Sequence, residues 1–366
     1  MKISIGTKVV EGPFGGGNNF LKNLILFLVD QGHQVIDHLQ DDDIDIILLT
    51  NPLRDSETST FNNFDINYYV KFKNPKVITF QRINECDERK GTVGINAKLS
   101  KFNKFIDVNI FVSEWLKENF KSFSLYNKDS YIIKGGPDEK VFNTIDKKFW
   151  DKKQKLKIVT HHWSSNYMKG YGIYKYLDEL LEKDNMKEKF EFTFIGNLPK
   201  DLQLENSNVI KPLHGSTLAQ ELKSHDIYIT ASMNEPSGNH HMEGAMCGLP
   251  ILYVNSGALP EYCENYGLEF NIKNLESSLN EMSNSYSKFQ NSLKVYPYSF
   301  SYAAKEYINV FENAIKHKIE LLEKRPRMNS FQIILGYFSS RLLRRLYKFK
   351  VDIKKTLGNF KRLLFR

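Results

Sequence analysis

Short apolar runs alternate along the chain with segments whose apolar residues recur at helical spacing. Several runs are continuously apolar and β-branched, as in strands that a parallel sheet covers on both faces. Residues 19–30 have helical spacing instead and end before Gly32. The pattern predicts an α/β protein with strands at residues 1–10, 44–49, 77–80, 107–113, 156–160, 190–196, 226–231 and 251–254.

The stretch of residues 228–264 carries the clearest chemistry. It is predicted to be a buried strand, a polar loop, a helix over residues 242–247 and a second strand, with Gly248 and Pro250 stopping the helix. Glu235 and Glu243 bracket the loop, and both should point into the crevice outside the carboxyl ends of the strands. Fixed carboxylates accept hydrogen bonds from sugar or ribose hydroxyls, and free helix N–H groups favour phosphate oxygens.

This stretch resembles a known signature. The two glutamates, followed by GAMCGLPIL and SGALPEYCE, resemble the Glu-x7-Glu motif of glycosyltransferase family 4, of the bacterial surface-polysaccharide type. The resemblance covers about residues 1–320 and implies the GT-B fold, with two Rossmann-like domains whose parallel sheets face each other across a cleft. It implies an acceptor-side domain at 1–146, a donor domain at 147–299, a helix at 300–322 that crosses back, and a tail at 323–366.

The resemblance also implies roles for single residues. Glu235 would contact the donor sugar, Glu243 the ribose, and Lys169 the diphosphate as a point charge beside a helix N-terminus. The family usually has an arginine five residues before this lysine, where the chain has Ser164. His161 or His162 could replace it if protonated, or both could be structural. The other predicted donor contacts are Gly15, Gly16, Gly196, Asn197, Gly238 and Asn239.

Gly15 and Gly16 belong to a glycine cluster between the first strand and the first helix, where backbone N–H groups can approach donor or acceptor. An ordinary flexible loop would have the same composition.

A second polar loop follows the predicted strand at residues 77–80. It carries Arg82, Asn84, Glu85, Asp87 and Arg89. We expect Arg82, Asn84, Glu85 and Asp87 to contact acceptor or donor hydroxyls; the alternative is a loop whose charges pair with one another. The acidic residues at 41–45 precede a strand and are interpreted as a solvated turn, so no metal site is predicted.

The basic charge of the chain is concentrated in its tail. The net charge is +8, whereas residues 324–366 contain thirteen Lys and Arg and one acid, so the first 323 residues carry about −4. Residues 341–366 have helical spacing, with an apolar stripe from Leu342 to Leu364 and basic residues on the remaining surface. Such a helix favours an anionic membrane interface. Docking on the protein's own acidic body is the alternative, and nucleic acid is disfavoured because phosphate binding needs no apolar stripe.

The sequence therefore predicts an enzyme that moves a sugar, with retention, from a nucleoside diphosphate donor to a hydroxyl of a glycan or lipid-linked acceptor. No cofactor beyond the nucleotide sugar is expected. No secretory signal or spanning apolar run is visible, and the three cysteines are scattered, so we expect a cytoplasmic protein peripheral on the inner face of a membrane. A nucleotide-sugar-binding GT-B protein without transferase activity and a nucleotide-sugar epimerase are the alternatives.

Overall fold

The computed structural model describes residues 1–9, 16–52 and 58–364, and within them the side chains up to residue 347. Its strands are β1 Lys2–Ile5, β2 Gln34–Ile36, β3 Ile46–Leu49, β4 Ile78–Ile83, β5 Val108–Phe111, β6 Ser130–Ile132, β7 Leu156–His162, β8 Phe190–Gly196, β9 Asn208–Ile210, β10 Ile227–Thr230, β11 Ile251–Val254 and β12 Gly267–Phe270.

The helices are α1 Gly16–Asp30, α2 Asn63–Phe72, α3 Asp87–Lys90, α4 Ile95–Phe102, α5 Glu114–Glu118, α6 Tyr171–Leu180, α7 Asp184–Lys187, α8 Gly215–Lys223, α9 Asn239–Met246, α10 Leu259–Cys263, α11 Leu275–Ser292, α12 Phe300–Lys316, α13 Lys318–Lys324 and α14 Ser330–Leu364. Short 3-10 turns lie at Ser124–Asn127, Tyr167–Lys169 and Leu293–Val295.

The strands form two parallel six-stranded sheets, which confirms the predicted α/β class. The first has the order β2-β1-β3-β4-β5-β6 and the second β12-β11-β10-β7-β8-β9. Renumbered from its own first strand, the second sheet has the doubly wound order 3-2-1-4-5-6. The order reverses between β1 and β3 in the first sheet and between β7 and β10 in the second, and ligands bind beside such reversals in open parallel sheets.

Both faces of each sheet are covered, which explains the continuous apolar runs. Successive side chains of a strand point to opposite faces. In β3, Ile46 and Leu48 pack with α1 and α12, whereas Ile47 and Leu49 pack with α2. In β7, Leu156 and Val159 likewise join different cores of the second sheet. A strand with a core on each side has no polar face, so its sequence does not alternate.

Two chain crossings join the domains and pack against each other. The first passes through Gly135 and Gly136, and the second through Tyr298 and Ser299 before α12 returns to the first domain. Phe300 N donates to Pro137 O at 2.9 Å, which ties the crossings together. The predicted domain boundary at residue 146 stays a prediction.

The tail is anchored on the first domain. Arg325 forms a buried ion pair with Asp107 (Nη2–Oδ2 2.6 Å) and donates to Val77 O at 2.6 Å. Beyond it, α14 lies against α2, where Tyr337 stacks on Tyr68 with ring centroids 4.1 Å apart. Residues 330–347 thus dock on the first domain, whereas the side chains of residues 348–366, which include most of the predicted stripe, lie outside the described part of the structure.

Two predicted boundaries were wrong, and both shifts affect functional residues. β4 extends to Ile83, so Arg82 lies within the strand and not in the loop after it. α9 begins at Asn239, three residues before the predicted start, so Glu243 is the fifth residue of the helix and not its second. The extra turn contains His240 and His241, which are buried. Because histidine is polar, the sequence pattern did not indicate that this first turn of the helix faces inwards.

Gly136 tests the packing of the crossings. An added Cβ would lie 2.6 Å from Ser299 Cα, and because the obstacle is backbone it cannot rotate away. Gly136→Ala should lower the free energy of unfolding by about 2–3 kcal/mol in urea denaturation. Gly172→Ala is the matched control, since Gly172 lies in α6 with nothing within 4 Å of its Cβ position. It should be neutral or slightly stabilising. Equal stability of both variants would contradict this packing.

Candidate active site

The loop that follows β10 carries Glu235 and is fixed by the turn that follows β11. Asn234 N donates to Ser256 Oγ at 2.9 Å, and Ala258 N donates to Glu235 O at 2.8 Å. Gly257 lies so close beneath the loop that an added Cβ would be 2.8 Å from Asn234 C, and its φ is +62°. The segment Ser-Gly-Ala is therefore needed to hold Glu235 at the point where the sheet order reverses.

The carboxylate of Glu235 is 5% exposed and is paired with cations from both domains. Lys169, beside β7 in the second domain, donates to Glu235 Oε2. Arg89 of the first domain places Nε 3.4 Å from Glu235 Oε1. Burial raises the pKa of Glu235, but Lys169 and Arg89 outweigh it, so the pKa lies below its usual 4.5. Glu235 is thus a buried anion held between two cations.

Glu243 is part of a second hydrogen-bond network, which includes His161 and Tyr228. His161 Nε2 lies 2.7 Å from Glu243 Oε2, and Tyr228 Oη lies 3.0 Å from His161 Nδ1. Because a carboxylate only accepts, we place the proton on Nε2, and the Tyr228 hydroxyl then donates to Nδ1. The side chain of Glu243 is 16% exposed. It therefore reaches the surface from a fixed position.

The amino end of α9 lies between the two carboxylates. Gly238 is the N-cap and supplies no side-chain bond, and Asn239 begins the helix. An added Cβ on Gly238 would lie 2.6 Å from the His240 ring and 3.0 Å from Glu235 Cγ, so the site requires glycine. The first N–H groups of a helix have no partner within it, and they form an anion site when no side chain caps them.

The neighbouring histidines differ in role. His162 is buried, and its Nε2 lies 2.8 Å from Tyr174 Oη. Burial is the main cause that lowers its pKa well below 6.5, and the charges of Lys169 and His161 add to the effect. This burial favours the structural alternative for His162, and its contact with the donor stays a prediction. His161 is the next residue to His162 on β7 and therefore faces the opposite side, where it contacts the Glu243 carboxylate.

His241 is a feature that the sequence analysis missed. Both ring nitrogens are buried without a hydrogen-bond partner within the described residues, and burial lowers the pKa to about 3. An unpaired buried polar group destabilises a fold, so such groups often mark a functional position. The doubled histidine before Glu243 was its signal.

Gly196 and Asn197 support the loop that precedes Lys169. Gly196 has φ +144°, and an added Cβ would lie 2.9 Å from His162 C. Asn197 Nδ2 donates to Trp163 O at 2.8 Å. Gly170, directly after Lys169, has φ +86° and touches Ala231 at the end of β10. These contacts fix the position of Lys169 relative to Glu235, and contact of Gly196 and Asn197 with a donor stays a prediction.

In the polar loop that follows β4, several charged residues pair with one another, as the alternative to ligand contacts predicted. Glu85 pairs with Arg89 at 3.2 Å and with Lys90 at 2.6 Å. The Asp87 carboxylate accepts from the backbone N–H groups of residues 94–96 at 2.8–3.1 Å and from Thr92 Oγ1, which lowers its pKa although burial opposes this. Asp87 therefore organises the start of α4, and its predicted acceptor contact has no support in this geometry.

Arg82 and Asn84 lie nearer to the first helix. The Arg82 guanidinium is 4.7 Å from the centroid of the Phe20 ring, and its Nε is buried without a partner within the described residues. Asn84 is half-buried where β4 ends. Gly16 begins α1, whereas Gly15 lies outside the described residues. The acceptor-side assignments of Arg82 and Asn84 stay predictions.

The two loops bring the carboxyl ends of both sheets together. Arg89 follows β4 and Glu235 follows β10, and Asn234 Nδ2 also donates to Glu88 O at 3.1 Å. Tyr262 of α10 donates to Val112 O of the first domain at 2.7 Å. Arg89 lies in the predicted polar loop, where it had no assigned partner, and Glu235 is that partner.

Among the residues that the structure describes, no group of three or more His, Cys, Asp or Glu side chains is arranged to hold a metal ion. None of the described helices is both long enough and apolar enough to cross a membrane.

Similarity to known proteins is found at the level of three-dimensional structure and not of sequence. No family model matches the sequence, and no curated protein sequence matches it. Among solved structures, the chain is similar to the Anabaena protein HepE in complex with UDP, with TM-score 0.62 and 11% identity over 85% of this chain and 99% of that one. It is also similar to sucrose-phosphate synthase from Thermosynechococcus elongatus, with TM-score 0.61 and 10% identity over 86% and 99% of the two chains.

A third neighbour is a glycosyltransferase from Rickettsia africae, with TM-score 0.58 and 13% identity over 86% of this chain and 98% of that one. All three similarities span both domains. The chain has the GT-B fold. The predicted fold class is therefore confirmed, with two Rossmann-like domains whose strand ends face each other.

The pairing of Lys169 with Glu235 has a measurable pH dependence. Because the folded pKa of Glu235 lies below its usual 4.5, the pairing stabilises the fold above that value and is lost as the pH falls through the folded pKa. Lys169→Met should lower the free energy of unfolding by roughly 2 kcal/mol at pH 6 and by less at pH 3. Urea denaturation across this range measures both.

The matched control is Lys183→Met, which removes an exposed lysine paired with Glu276 at 2.9 Å. It should change stability little at either pH, because exposed pairs are well solvated. A Lys169 effect that does not depend on pH would contradict the pairing with an ionised Glu235.

Proposed function

We propose that the chain is a glycosyltransferase that moves a sugar from a nucleoside diphosphate donor to a hydroxyl acceptor with retention at the anomeric carbon. The observation that carries the proposal is one arrangement at the switch point of a GT-B fold. Two fixed carboxylates, Glu235 and Glu243, flank the uncapped amino end of α9, with Lys169 and Arg89 beside it. Two solved structures of HepE, a neighbour in fold, contain UDP-glucose and UDP.

Glu243 suits the ribose of the donor. His161 occupies one of its oxygens at 2.7 Å, which fixes the carboxylate and leaves its remaining lone pairs for a vicinal diol. The charge-assisted hydrogen bonds of such a pair are stronger than bonds between neutral groups. The nucleoside would therefore lie at the Glu243 end of the site, and the diphosphate would extend from it towards the amino end of α9.

Lys169 and the amino end of α9 suit the diphosphate. Negative charge develops on the leaving diphosphate as the bond to the sugar breaks, and fixed cations and N–H groups stabilise it without reorganising. Glu235 already holds the Lys169 ammonium in place, so little side-chain entropy remains to be lost when the donor binds. We therefore propose no cofactor beyond the nucleotide sugar.

Arg89 would supply the second cation. Ser164 occupies the place of the arginine expected by resemblance, and it is exposed, accepting from Asn166 N at 3.2 Å. Arg89 of the first domain contacts the Glu235 carboxylate, which Lys169 of the second domain also contacts. In this proposal the neutralising charge that the second domain lacks comes from the first domain, so the site is complete only with both domains in contact.

The acceptor would enter from the first domain, beside Arg82 and Asn84. In a retaining transfer the hydroxyl attacks from the face that the diphosphate leaves, and its proton can pass to the departing phosphate oxygen. We therefore assign no protein base. The Glu235 carboxylate would accept hydrogen bonds from donor-sugar hydroxyls and so hold the anomeric carbon within reach of the acceptor hydroxyl and the leaving diphosphate.

The ribose assignment is tested by nucleotide binding. Glu243→Gln should weaken binding of the preferred nucleoside diphosphate by roughly 10- to 100-fold in calorimetry, because a charge-assisted hydrogen bond contributes about 1.5–3 kcal/mol. Glu281→Gln, a change of the same kind on the exposed side of α11, is the control. Unchanged affinity in Glu243→Gln would remove the assignment.

The reaction is tested by turnover. UDP-, GDP- and ADP-sugars should be compared for release of the free nucleoside diphosphate by the full chain, with and without simple glycoside acceptors. One donor should be hydrolysed or transferred with retained anomeric configuration, and Glu235→Gln should slow this by at least about 100-fold. Tight nucleotide-sugar binding without turnover would instead support a silent binding protein, and interconversion of two nucleotide sugars would support an epimerase.

A further inference from the structure

The outer face of α14 is an exposed apolar stripe. Within the described side chains it consists of Phe331, Leu335, Phe338, Leu342 and Leu346, each between 55% and 72% exposed. At about 100° per residue these positions fall on one side of the helix. The stripe thus begins at Phe331, ahead of the predicted start at Leu342. Large contiguous apolar patches are rare on the surface of a protein that has no partner there.

The opposite face of α14 is docked and fixes the orientation of the stripe. Ser340 Oγ accepts from Asn62 Nδ2 at 2.9 Å, and Gly336 lets the helix approach Phe64, whose ring would lie 2.8 Å from an added Cβ. Arg344 donates to Ser59 O at 2.8 Å and pairs with Asp65 at 3.5 Å. The docked face thus combines Ile333 and Tyr337 with small and polar residues, while the larger apolar stripe faces outwards, unlike the core-facing stripe of an ordinary surface helix.

Positive charge accompanies the stripe. Arg345 is exposed beside it, and Arg341 is 58% exposed although it lies 3.7 Å from Asp65. Residues 324–366 carry thirteen basic residues and one acid. A second copy of the chain on the same stripe would bring these like charges together, whereas an anionic surface neutralises them.

We propose that the outer face of α14 lies on an anionic lipid surface. The stripe would enter the boundary between headgroups and acyl chains while the arginines bind lipid phosphates. Both signals are needed, because apolar and electrostatic contributions of this size are each weak alone. The inference stands on the tail and does not depend on the proposed transfer reaction.

The direction of α14 relates this surface to the cleft. Thr60 N donates to Gly6 O, and Lys8 N donates to Thr58 O, so residues 58–60 lie at the carboxyl end of the first sheet. Arg344 binds the carbonyls of Ser59 and Thr60 at this edge. From there the helix continues to Leu364, about 30 Å at 1.5 Å per residue. The lipid surface would therefore lie beside the side of the first domain that opens on the cleft.

The experiment is vesicle flotation of the full chain at physiological salt. Phosphatidylcholine vesicles, with or without about one-third phosphatidylglycerol, are compared for wild type and for the double variant Phe338→Asp with Leu342→Asp. Wild type should float with the anionic vesicles only, and the variant should bind them roughly 100-fold more weakly. Ile319→Asp on α13 is the matched control, since Ile319 is 75% exposed and lies outside the stripe; it should bind like wild type.

A second measurement covers the case in which the double variant does not fold, which circular dichroism and thermal unfolding would reveal. In Phe338→Trp, bromine-labelled acyl chains in anionic vesicles should quench the new indole. Absence of wild-type flotation, equal flotation of wild type and folded double variant, or an unquenched indole would overturn the proposal. A dimer in sedimentation that the double variant abolishes, without vesicle binding, would overturn it too and identify the stripe as an interface between copies.

Discussion

A buried carboxylate needs a positive partner, and the site depends on how Glu235 meets this need. At 5% exposure an unpaired anion would favour its protonated form or unfold the loop. Lys169 comes from the same domain and Arg89 from the other, so one ion-pair network fixes two loops and the contact between domains. The loops at the carboxyl ends of both sheets are therefore held in one arrangement before any ligand arrives.

Close backbone approaches make this network possible. Gly257 admits the turn beneath the Glu235 loop, and Gly170 brings Lys169 against the end of β10. Gly136 lets the two chain crossings touch, which sets the distance between the domains. A larger residue in place of Gly257 or Gly170 would displace Glu235 or Lys169 and not merely a surface loop. The glycines are thus part of the electrostatics of the site.

What could be predicted from the sequence was local. Glu235 and Glu243 lie in one strand, loop and helix, so their shared direction follows from strand order and spacing. Adjacent strand residues face opposite sides, so the choice between His161 and His162 depended on which side the cores occupy. The pairing of Arg89 with Glu235 depends on the packing of two domains, which spacing along the chain does not encode. The tail was ambiguous for another reason: docking and exposure of its apolar stripe occur together, on opposite faces of α14.

The most direct test of the account is a crystal structure of the chain with its preferred nucleoside diphosphate bound. The account predicts ribose hydroxyls on the Glu243 carboxylate and the terminal phosphate at the amino end of α9, within reach of Lys169. A nucleotide bound elsewhere, with Glu235 and Glu243 left on their present protein partners alone, would contradict it.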